Sequence, residues 1–212
     1  MPGHEFSDDF REEFRQLLVW RRDVRHFRPD PLPAGLFEEL LELATLAPSV
    51  GLSEPWRFIR VERTETRLAI RSEFERANAE ALEGYCGPQA ALYARLKLAG
   101  LDTAPVHLAV FADRATQKGS GLGRRTMPEM LEYSVVAAIT TLWLAARAHG
   151  VGMGWVSILD PLNVGTILSV PTDWQLIAYL CLGYPEDESV TPELERAGWE
   201  ARVRETIPFQ GC

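Results

Sequence analysis

The sequence predicts an α+β protein in which helices flank a sheet and one long helix is central. Three observations favour this class. Residues 128–149 are apolar on nearly every side, as in a buried helix. Residues 105–113 and 175–185 contain long apolar runs, as in buried strands. The predicted strands are never separated by a two-residue turn, which indicates that helices rather than hairpins connect them.

Size and composition predict one domain that spans residues 1–212, because a chain of this length can enclose a single sizeable core. The hydrophobic fraction of 46% and the mean hydropathy of -0.10 are typical of a globular protein rather than a disordered one. The formal net charge of -8 argues against a nucleic-acid partner, since proteins that bind nucleic acids usually present a basic face.

The sequence predicts neither a membrane span nor a metal site. No apolar run approaches the roughly 20 residues that a membrane-spanning helix needs, and MPGHEFSDDF is too polar for a signal peptide. The cysteines Cys86, Cys181 and Cys212 lack the spacing of metal ligands, as do the four histidines. We therefore expect a cytoplasmic protein without a disulfide framework.

The N-terminal part of the chain is predicted to contain two helices. Apolar residues recur at helical spacing from Phe10 to Leu18, after a possible capping residue, Ser7. The proline-containing segment RRDVRHFRPDPLP ends this helix. A second amphipathic pattern, LFEELLELATLA, leads through the loop APSVGLSEP into a first strand at residues 56–61.

The rest of the chain is predicted to alternate helices with strands. A polar segment rich in Ala and Glu at 64–82 predicts a helix, and another helix follows a break at 85–88 and runs through Leu98. The glycine-rich segment at 115–125 predicts a loop, and GVGMGWVSIL predicts a short strand after a glycine-dense approach. Residues 186–212 are a charged C-terminal extension.

The stretch RRDVRHF places three arginines, Arg21, Arg22 and Arg25, around the carboxylate of Asp23. Guanidinium groups are planar donors that suit phosphate oxygens, so this cluster could hold a phosphomonoester. On the residues alone, a solvated surface cluster explains the pattern equally well. Asp23 would repel a phosphate, so its side chain must serve another purpose.

Two serines lie in segments of small residues. Ser49 belongs to APSVGLSEPWRF, where small side chains let the backbone approach a flat ligand closely. Ser157 is the lone polar residue in GMGWVSIL, and a hydrogen-bonded core hydroxyl is the commoner explanation for such a serine. The segment GSGLG at 119–123 lacks the lysine and the strand-to-helix context of a phosphate-binding loop.

Taken in order, the arginine motif, APSVGLSEPWRF, the long central helix and the glycine-rich approach to a strand resemble the flavin-binding nitroreductase family over essentially the whole chain. The resemblance implies a three-layer α/β/α fold with a mixed sheet around the long helix, and a homodimer with exchanged termini. It also implies that FMN lies at the dimer interface. The FMN contacts that it implies are Arg21, Arg22, Asp23, Val24, Arg25, Ser49, Leu98, Ser157 and Arg202. We prefer Arg202 over Arg204 as the tail arginine that contacts the phosphate.

Two departures from the family's common pattern sharpen the resemblance. Members usually have serine where this chain has Asp23, and tend to have glycine where it has Ser157. Both features are similar to those of members that fragment reduced FMN with dioxygen into 5,6-dimethylbenzimidazole, the lower ligand of vitamin B12, and erythrose 4-phosphate. The resemblance therefore implies that reduced FMN is the substrate. Our hypothesis is that Asp23 moves protons during cleavage, and that Ser157 orients the flavin or its oxygen adduct by hydrogen bonding.

The resemblance also implies a lid at about residues 81–100, which would leave little room for nicotinamide. A separate NAD(P)H-dependent flavin reductase would then supply the reduced FMN. Three alternatives stay open on the sequence: an NAD(P)H-dependent nitroreductase or flavin reductase that keeps its FMN, a reductive dehalogenase, and a flavin-binding protein without enzymatic activity.

Overall fold

The structure is a computed structural model that describes residues 4–95 and 100–203. Two residues of the predicted site, Leu98 and the alternative tail arginine Arg204, lie outside the described residues. The helices are α1 (Asp8–Trp20), α2 (Leu36–Ala44), α3 (Thr64–Leu82), α4 (Gly87–Arg95), α5 (Gly100–Thr103), α6 (Met130–Ala148), α7 (Pro161–Ile167) and α8 (Glu193–Arg196). The strands are β1 (Trp56–Arg60), β2 (Val106–Asp113), β3 (Gly152–Val156) and β4 (Trp174–Gly183).

The predicted helices and strands are found close to their predicted positions. The first helix begins after Ser7, whose Oγ accepts a hydrogen bond from the Phe10 N–H at 3.2 Å and caps the helix as expected. Both apolar runs form strands, and the glycine-dense segment leads into β3. None of the described helices is both long enough and apolar enough to cross a membrane.

The sheet has the strand order β1-β2-β4-β3, and each neighbouring pair is antiparallel. The expectation of a mixed sheet needs a correction here. Within the described residues, the only parallel component is a single bridge between Asp23 and Met153, where the segment after α1 meets β3. The α+β class is confirmed.

Helices cover the sheet on both faces. Successive residues of its central strands point to opposite sides, so each of these strands contributes apolar side chains to both faces. On one face, Leu40 of α2 and Leu142 of α6 pack with Leu108 of β2 in the larger core. On the other face, Ile70 of α3 packs in a second core with Phe111 of β2. Burial on both faces explains why the sequence of β2 is mostly apolar.

The long helix α6 is buried along one side only. Its buried positions recur three and four residues apart and face the larger core. On the opposite side, Tyr133 is 55% exposed and Val136 is 37% exposed. The sequence, which is apolar nearly all round, predicted a helix buried on every side, and this was wrong for the single chain. α1 likewise leaves apolar residues exposed, since it has an apolar stripe but no buried residue.

Candidate functional site

The segment that follows α1 lies along the outer side of β3. Asp23 forms the parallel bridge with Met153, and the Val24 N–H donates a hydrogen bond to the Met153 carbonyl at 3.1 Å. The side chain of Asp23 also faces β3, because its Oδ1 accepts a hydrogen bond from the Trp155 N–H at 3.0 Å. The strand therefore fixes both the backbone and the carboxylate of Asp23.

Glycine in β3 permits this close approach. A Cβ atom placed on Gly154 would lie 2.2 Å from the Val24 carbonyl oxygen, which is shorter than real contacts allow. A Cβ atom on Gly152 would lie 2.8 Å from Cγ2 of Val24. The sequence predicted that these glycines admit a neighbouring backbone or ligand. The structure assigns that space to the chain's own segment around Val24.

The Asp23 carboxyl group is held in conditions that favour its protonated form. Burial raises the pKa of Asp23, and the nearby Glu193 adds to the rise, against the opposing effects of the Trp155 N–H and the Arg25 guanidinium. Its Oδ2 lies 3.5 Å from Nε of Arg25. Since Oδ1 is occupied by the Trp155 N–H, Oδ2 is the oxygen that remains for a proton.

Three arginines of the predicted phosphate site lie close enough to repel one another. Burial and the charge of Arg202 lower the pKa of Arg21, and both also lower the pKa of Arg22. Arg202 belongs to the C-terminal extension, so the fold brings the two ends of the described chain together at this point. Like charges gathered in this way are the arrangement that an anion stabilises. Arg202 is the tail arginine that we prefer for the phosphate, and Arg204 lies outside the described residues.

Two of these arginines are held in place by the protein. Nε of Arg22 donates to the Val190 carbonyl at 2.7 Å, which ties the end of α1 to the C-terminal extension. The Arg21 guanidinium carbon lies 4.8 Å from the centre of the Trp143 ring. A cavity of about 350 Å³ opens beside Arg22. It is lined by Arg22, Asp23, Val24, Arg25, His26, Asp187, Ser189, Thr191, Glu193, Arg196 and Ala197.

Ser157 lies directly after β3 and is exposed, so the core-hydroxyl explanation for this serine is wrong. It follows Trp155 by two residues, which corresponds to about 7 Å along a strand. The Trp155 N–H is the donor that holds Asp23. β3 therefore holds Asp23 through the Trp155 N–H, and the residue that follows β3 is the other predicted catalytic residue, Ser157.

The segment after Ser157 is anchored by a residue that the sequence analysis missed. Glu73 of α3 is buried, and its carboxylate accepts hydrogen bonds from the Asp160 N–H at 3.1 Å and from Nδ2 of Asn163 at 3.2 Å. Arg76 also pairs with Glu73. No local signal distinguishes Glu73 from the other glutamates of its polar helix, because the partners that bury it come from a distant part of the chain.

Ser49 is not brought to the arginine cluster within one chain. Its Oγ accepts a hydrogen bond from the Glu54 N–H at 3.1 Å, which stabilises its own loop. The next residue, Val50, donates its N–H to Oγ of Ser134 in α6 at 3.0 Å. The glycine-rich segment packs against this loop, since a Cβ atom on Gly119 would lie 2.5 Å from the Gly51 carbonyl oxygen. The segment thus supports the Ser49 loop.

The predicted lid region contacts the C-terminal extension through an aromatic cluster. The ring centres of Tyr85 and Tyr93 are 4.7 Å apart, and Trp199 lies 5.7 Å from Tyr85 and 6.3 Å from Tyr93. Trp199 precedes Arg202 by three residues. The described part of residues 81–100 is therefore in contact with the same extension that carries Arg202.

Residues 4–95 and 100–203 contain no group of histidine, cysteine and carboxylate side chains that could hold a metal ion. The second large cavity, of about 1030 Å³, lies at the start of α6 and shares no lining residue with the Asp23 cavity. Its charged lining residues are Arg114, Arg124, Arg125, Glu129 and Glu132.

Known proteins resemble this chain in sequence and in fold. The nitroreductase family matches residues 18–184. A 5,6-dimethylbenzimidazole synthase of Rhodospirillum rubrum is 54% identical over 94% of this chain and 95% of its own length. A protein of the same name from Rhodobacter capsulatus is 48% identical over 93% of this chain and 96% of its own length.

Among solved structures, oxidized iodotyrosine deiodinase bound to FMN and 3-iodo-L-tyrosine superposes with a TM-score of 0.75 and 24% identity. The similarity covers 94% of this chain and 100% of that chain. At this level of identity the structural likeness concerns the fold alone. The dimethylbenzimidazole synthases are far more similar in sequence.

Proposed function

The chain belongs to the nitroreductase family, and on that premise we propose that it is a 5,6-dimethylbenzimidazole synthase. The reaction is an oxygen-dependent fragmentation of reduced FMN that also yields erythrose 4-phosphate. Relatives of that name at 54% and 48% identity support the proposal. The observation that carries it is the placement of Asp23, a carboxyl group with a raised pKa that β3 holds beside a cluster of arginines.

The residues around Asp23 fit FMN. Arg21, Arg22 and Arg202 repel one another, so a phosphate dianion among them relieves an unfavourable concentration of positive charge. Arg22 and Arg21 are already fixed by Val190 and Trp143, which reduces the entropy that binding costs. We assign the phosphate to these three arginines, and the contacts of Val24 and Arg25 to the neighbouring part of FMN.

Reduced FMN supplies the electrons for the reaction with dioxygen and the ribityl carbon that ends in the product. The protein's part is to position groups and to move protons. Asp23 holds a proton on Oδ2 while Oδ1 stays fixed by the Trp155 N–H, so the carboxyl group keeps its orientation through the proton transfer. Ser157, exposed at the end of β3, donates its hydroxyl proton in a hydrogen bond that orients the flavin ring.

The complete site requires a second copy of the chain. Ser49 is bound to its own loop, which Val50 ties to α6, and not to the arginine cluster, so we propose that it reaches the flavin of the partner protomer. The apolar stripe of α1 and the exposed side of α6 are the surfaces that such a homodimer buries. We further propose that residues 81–100 close over the flavin, and that a separate cytoplasmic NAD(P)H-dependent flavin reductase supplies it in reduced form.

The test is direct observation of the fragmentation. FMN with ¹³C at the first ribityl carbon is reduced by light and EDTA, air is admitted with the protein present, and the products are analysed by mass spectrometry. We expect 5,6-dimethylbenzimidazole to accumulate as FMN disappears and to carry the label in its imidazole ring. Asp23→Asn should bind FMN and lose most of this product, because the proton on Oδ2 is absent.

The matched control is Asp30→Asn, which removes an exposed carboxylate from the same N-terminal segment. It should leave the yield unchanged. An absence of labelled product under verified FMN reduction contradicts the proposed function. Sustained NADH or NADPH oxidation with intact FMN would instead identify a reductase or nitroreductase, and tight FMN binding without any turnover would identify a binding protein.

A further inference from the structure

The C-terminal extension brings a second carboxylate to the Asp23 site. Oε2 of Glu193, the first residue of α8, lies 4.0 Å from Nε of Arg25. The same Nε lies 3.5 Å from Oδ2 of Asp23. One guanidinium group therefore faces two carboxylates, one from each end of the described chain.

Arg25 is placed so that a small movement would bring its Nε within hydrogen-bond distance of either carboxylate. Its side chain is only 12% exposed, and its buried Nε makes no hydrogen bond within the described residues. Both distances exceed those of a short charge-assisted hydrogen bond, which are about 2.7–2.9 Å. A buried donor that is left unpaired between two acceptors gains from a small movement toward one of them.

We infer that Glu193 is a positioning residue for Asp23, because the two carboxylates compete for the one Arg25 guanidinium that lies between them. When Arg25 moves toward Glu193, Asp23 loses the cation that favours its ionised form. Glu193 also acts on Asp23 directly, since a neighbouring negative charge disfavours ionisation. Both effects have the same sign, and each increases the fraction of Asp23 that holds a proton.

Several other charged groups surround Asp23. The charged and titratable groups that face Asp23 or line its cavity are Arg21, Arg22, Arg25, His26, Asp187, Glu193 and Arg196, with the buried thiol of Cys181 on the sheet side. Among the described residues, Glu193 and Asp23 are the carboxylates within 4.0 Å of Arg25. The contribution of Glu193 to the raised pKa of Asp23 supports the inference but does not carry it alone.

The chemical meaning of the inference rests on the proposed function, in which Asp23 delivers a proton. A carboxyl group can do so near neutral pH only if it keeps its proton there. Glu193 would help to meet that requirement without touching the substrate. The competition itself is a property of the protein alone, so it can be measured without the reaction.

The test is a titration of Asp23 in the full chain without added flavin. The protein is labelled with ¹³C in its aspartate carboxyl groups, and the Asp23 signal is identified by its loss in Asp23→Asn. We expect Glu193→Gln to lower the pH midpoint of Asp23 by about half a unit to one unit, because it removes a like charge and leaves Arg25 to Asp23. Glu193→Asp keeps the charge on a shorter side chain, so its Asp23 midpoint should lie between those of Glu193→Gln and the unmodified protein.

The matched control is Glu186→Gln, which removes an exposed carboxylate from the same extension. Its Asp23 midpoint should equal that of the unmodified protein. A midpoint in Glu193→Gln that equals the control's, or lies above it, overturns the inference. This result would leave the proposed function intact. If the Asp23 midpoint instead falls in Glu193→Gln as expected, but the fragmentation assay yields no 5,6-dimethylbenzimidazole, the proposed function is overturned and the inference stands.

Discussion

At the scale of single residues, the second core contains a buried histidine that is expected to be neutral. Nδ1 of His107 lies 3.0 Å from the Tyr179 hydroxyl, and only 1% of the His107 residue is exposed. Burial lowers the pKa of His107 to about 4, and the charge of Arg67 adds to this effect. An ordinary histidine takes up its proton at about pH 6.5, so the unfolded chain binds that proton first as the pH falls.

We therefore predict that protonation of His107 in the unfolded chain lowers the free energy of unfolding by about 2 kcal/mol as the pH falls from 7 to 5. The contribution is present above the unfolded pKa and is lost as the pH falls toward the folded one. His107→Gln should remove this component of the pH dependence, measured by urea unfolding at both pH values. His149→Gln, at an exposed histidine, should keep it, and an equal loss of pH dependence in both variants would contradict the prediction.

Sequence reasoning could single out Asp23 because it stands where relatives of the fold usually have serine, and the arginines because of their charge. It could not find Glu193 or Glu73. Both are common surface-type residues in polar segments, and each gains its role from a partner far away in the chain. Leu98, which the resemblance also implied, lies outside the part of the chain that the structure describes.

At the scale of elements, the position of Asp23 depends on how closely its segment approaches β3. We predict that Gly154→Ala displaces the segment, because the new Cβ atom would meet the Val24 carbonyl oxygen at 2.2 Å and backbone cannot move aside cheaply. The displaced Asp23 would lose its hydrogen bond from Trp155. Affinity for FMN, measured by quenching of flavin fluorescence, should fall by at least about tenfold, which corresponds to about 1.4 kcal/mol.

Gly165→Ala is the control for this prediction. Gly165 lies in α7, where a Cβ atom would make an ordinary contact of 3.5 Å with Val170 and where alanine favours the helix. Its FMN affinity should match that of the unmodified protein. Unchanged affinity in Gly154→Ala would mean that the segment does not need its place on β3 to bind flavin.

The elements themselves were largely predictable, because long apolar runs and helical spacing are local signals. The pairing was not. The order β1-β2-β4-β3 and its antiparallel directions depend on contacts between distant segments, which no local pattern encodes. The prediction that α6 is buried on every side was wrong for the same reason. A sequence shows that each face of a helix is apolar, but not what covers that face.

At the scale of the whole molecule, α1 exposes more apolar surface than one chain can cover. Phe10, Phe14 and Leu18 are each more than 40% exposed, and the rings of Phe10 and Phe14 stack with centres 6.4 Å apart. Contiguous apolar patches of this kind mark interfaces between protein chains. They support the proposed homodimer, in which Ser49 would reach the flavin of the partner protomer.

We predict that Phe10→Ser combined with Phe14→Ser yields a monomer with weakened FMN binding. Sedimentation velocity would give the oligomeric state, and fluorescence quenching the affinity. The fold should persist, because α1 contributes no buried residue. Leu162→Ser, at a leucine 79% exposed on α7, is the control and should remain dimeric. A dimer that survives the double substitution would require an interface elsewhere.

The segment that carries Asp23 has a consequence for solubility as well as for catalysis. The two outermost strands of the sheet are β1 and β3, and outermost strands tend to pair with other chains unless they are charged or covered. β1 carries Arg57 and Arg60, whereas β3, with the sequence GMGWV, carries no charge at all. Its protection is the bridge that Asp23 and Val24 form with Met153. Substitutions that detach this segment should therefore cause aggregation along with loss of flavin binding. The same contacts then maintain both the solubility of the protein and the structure of its site.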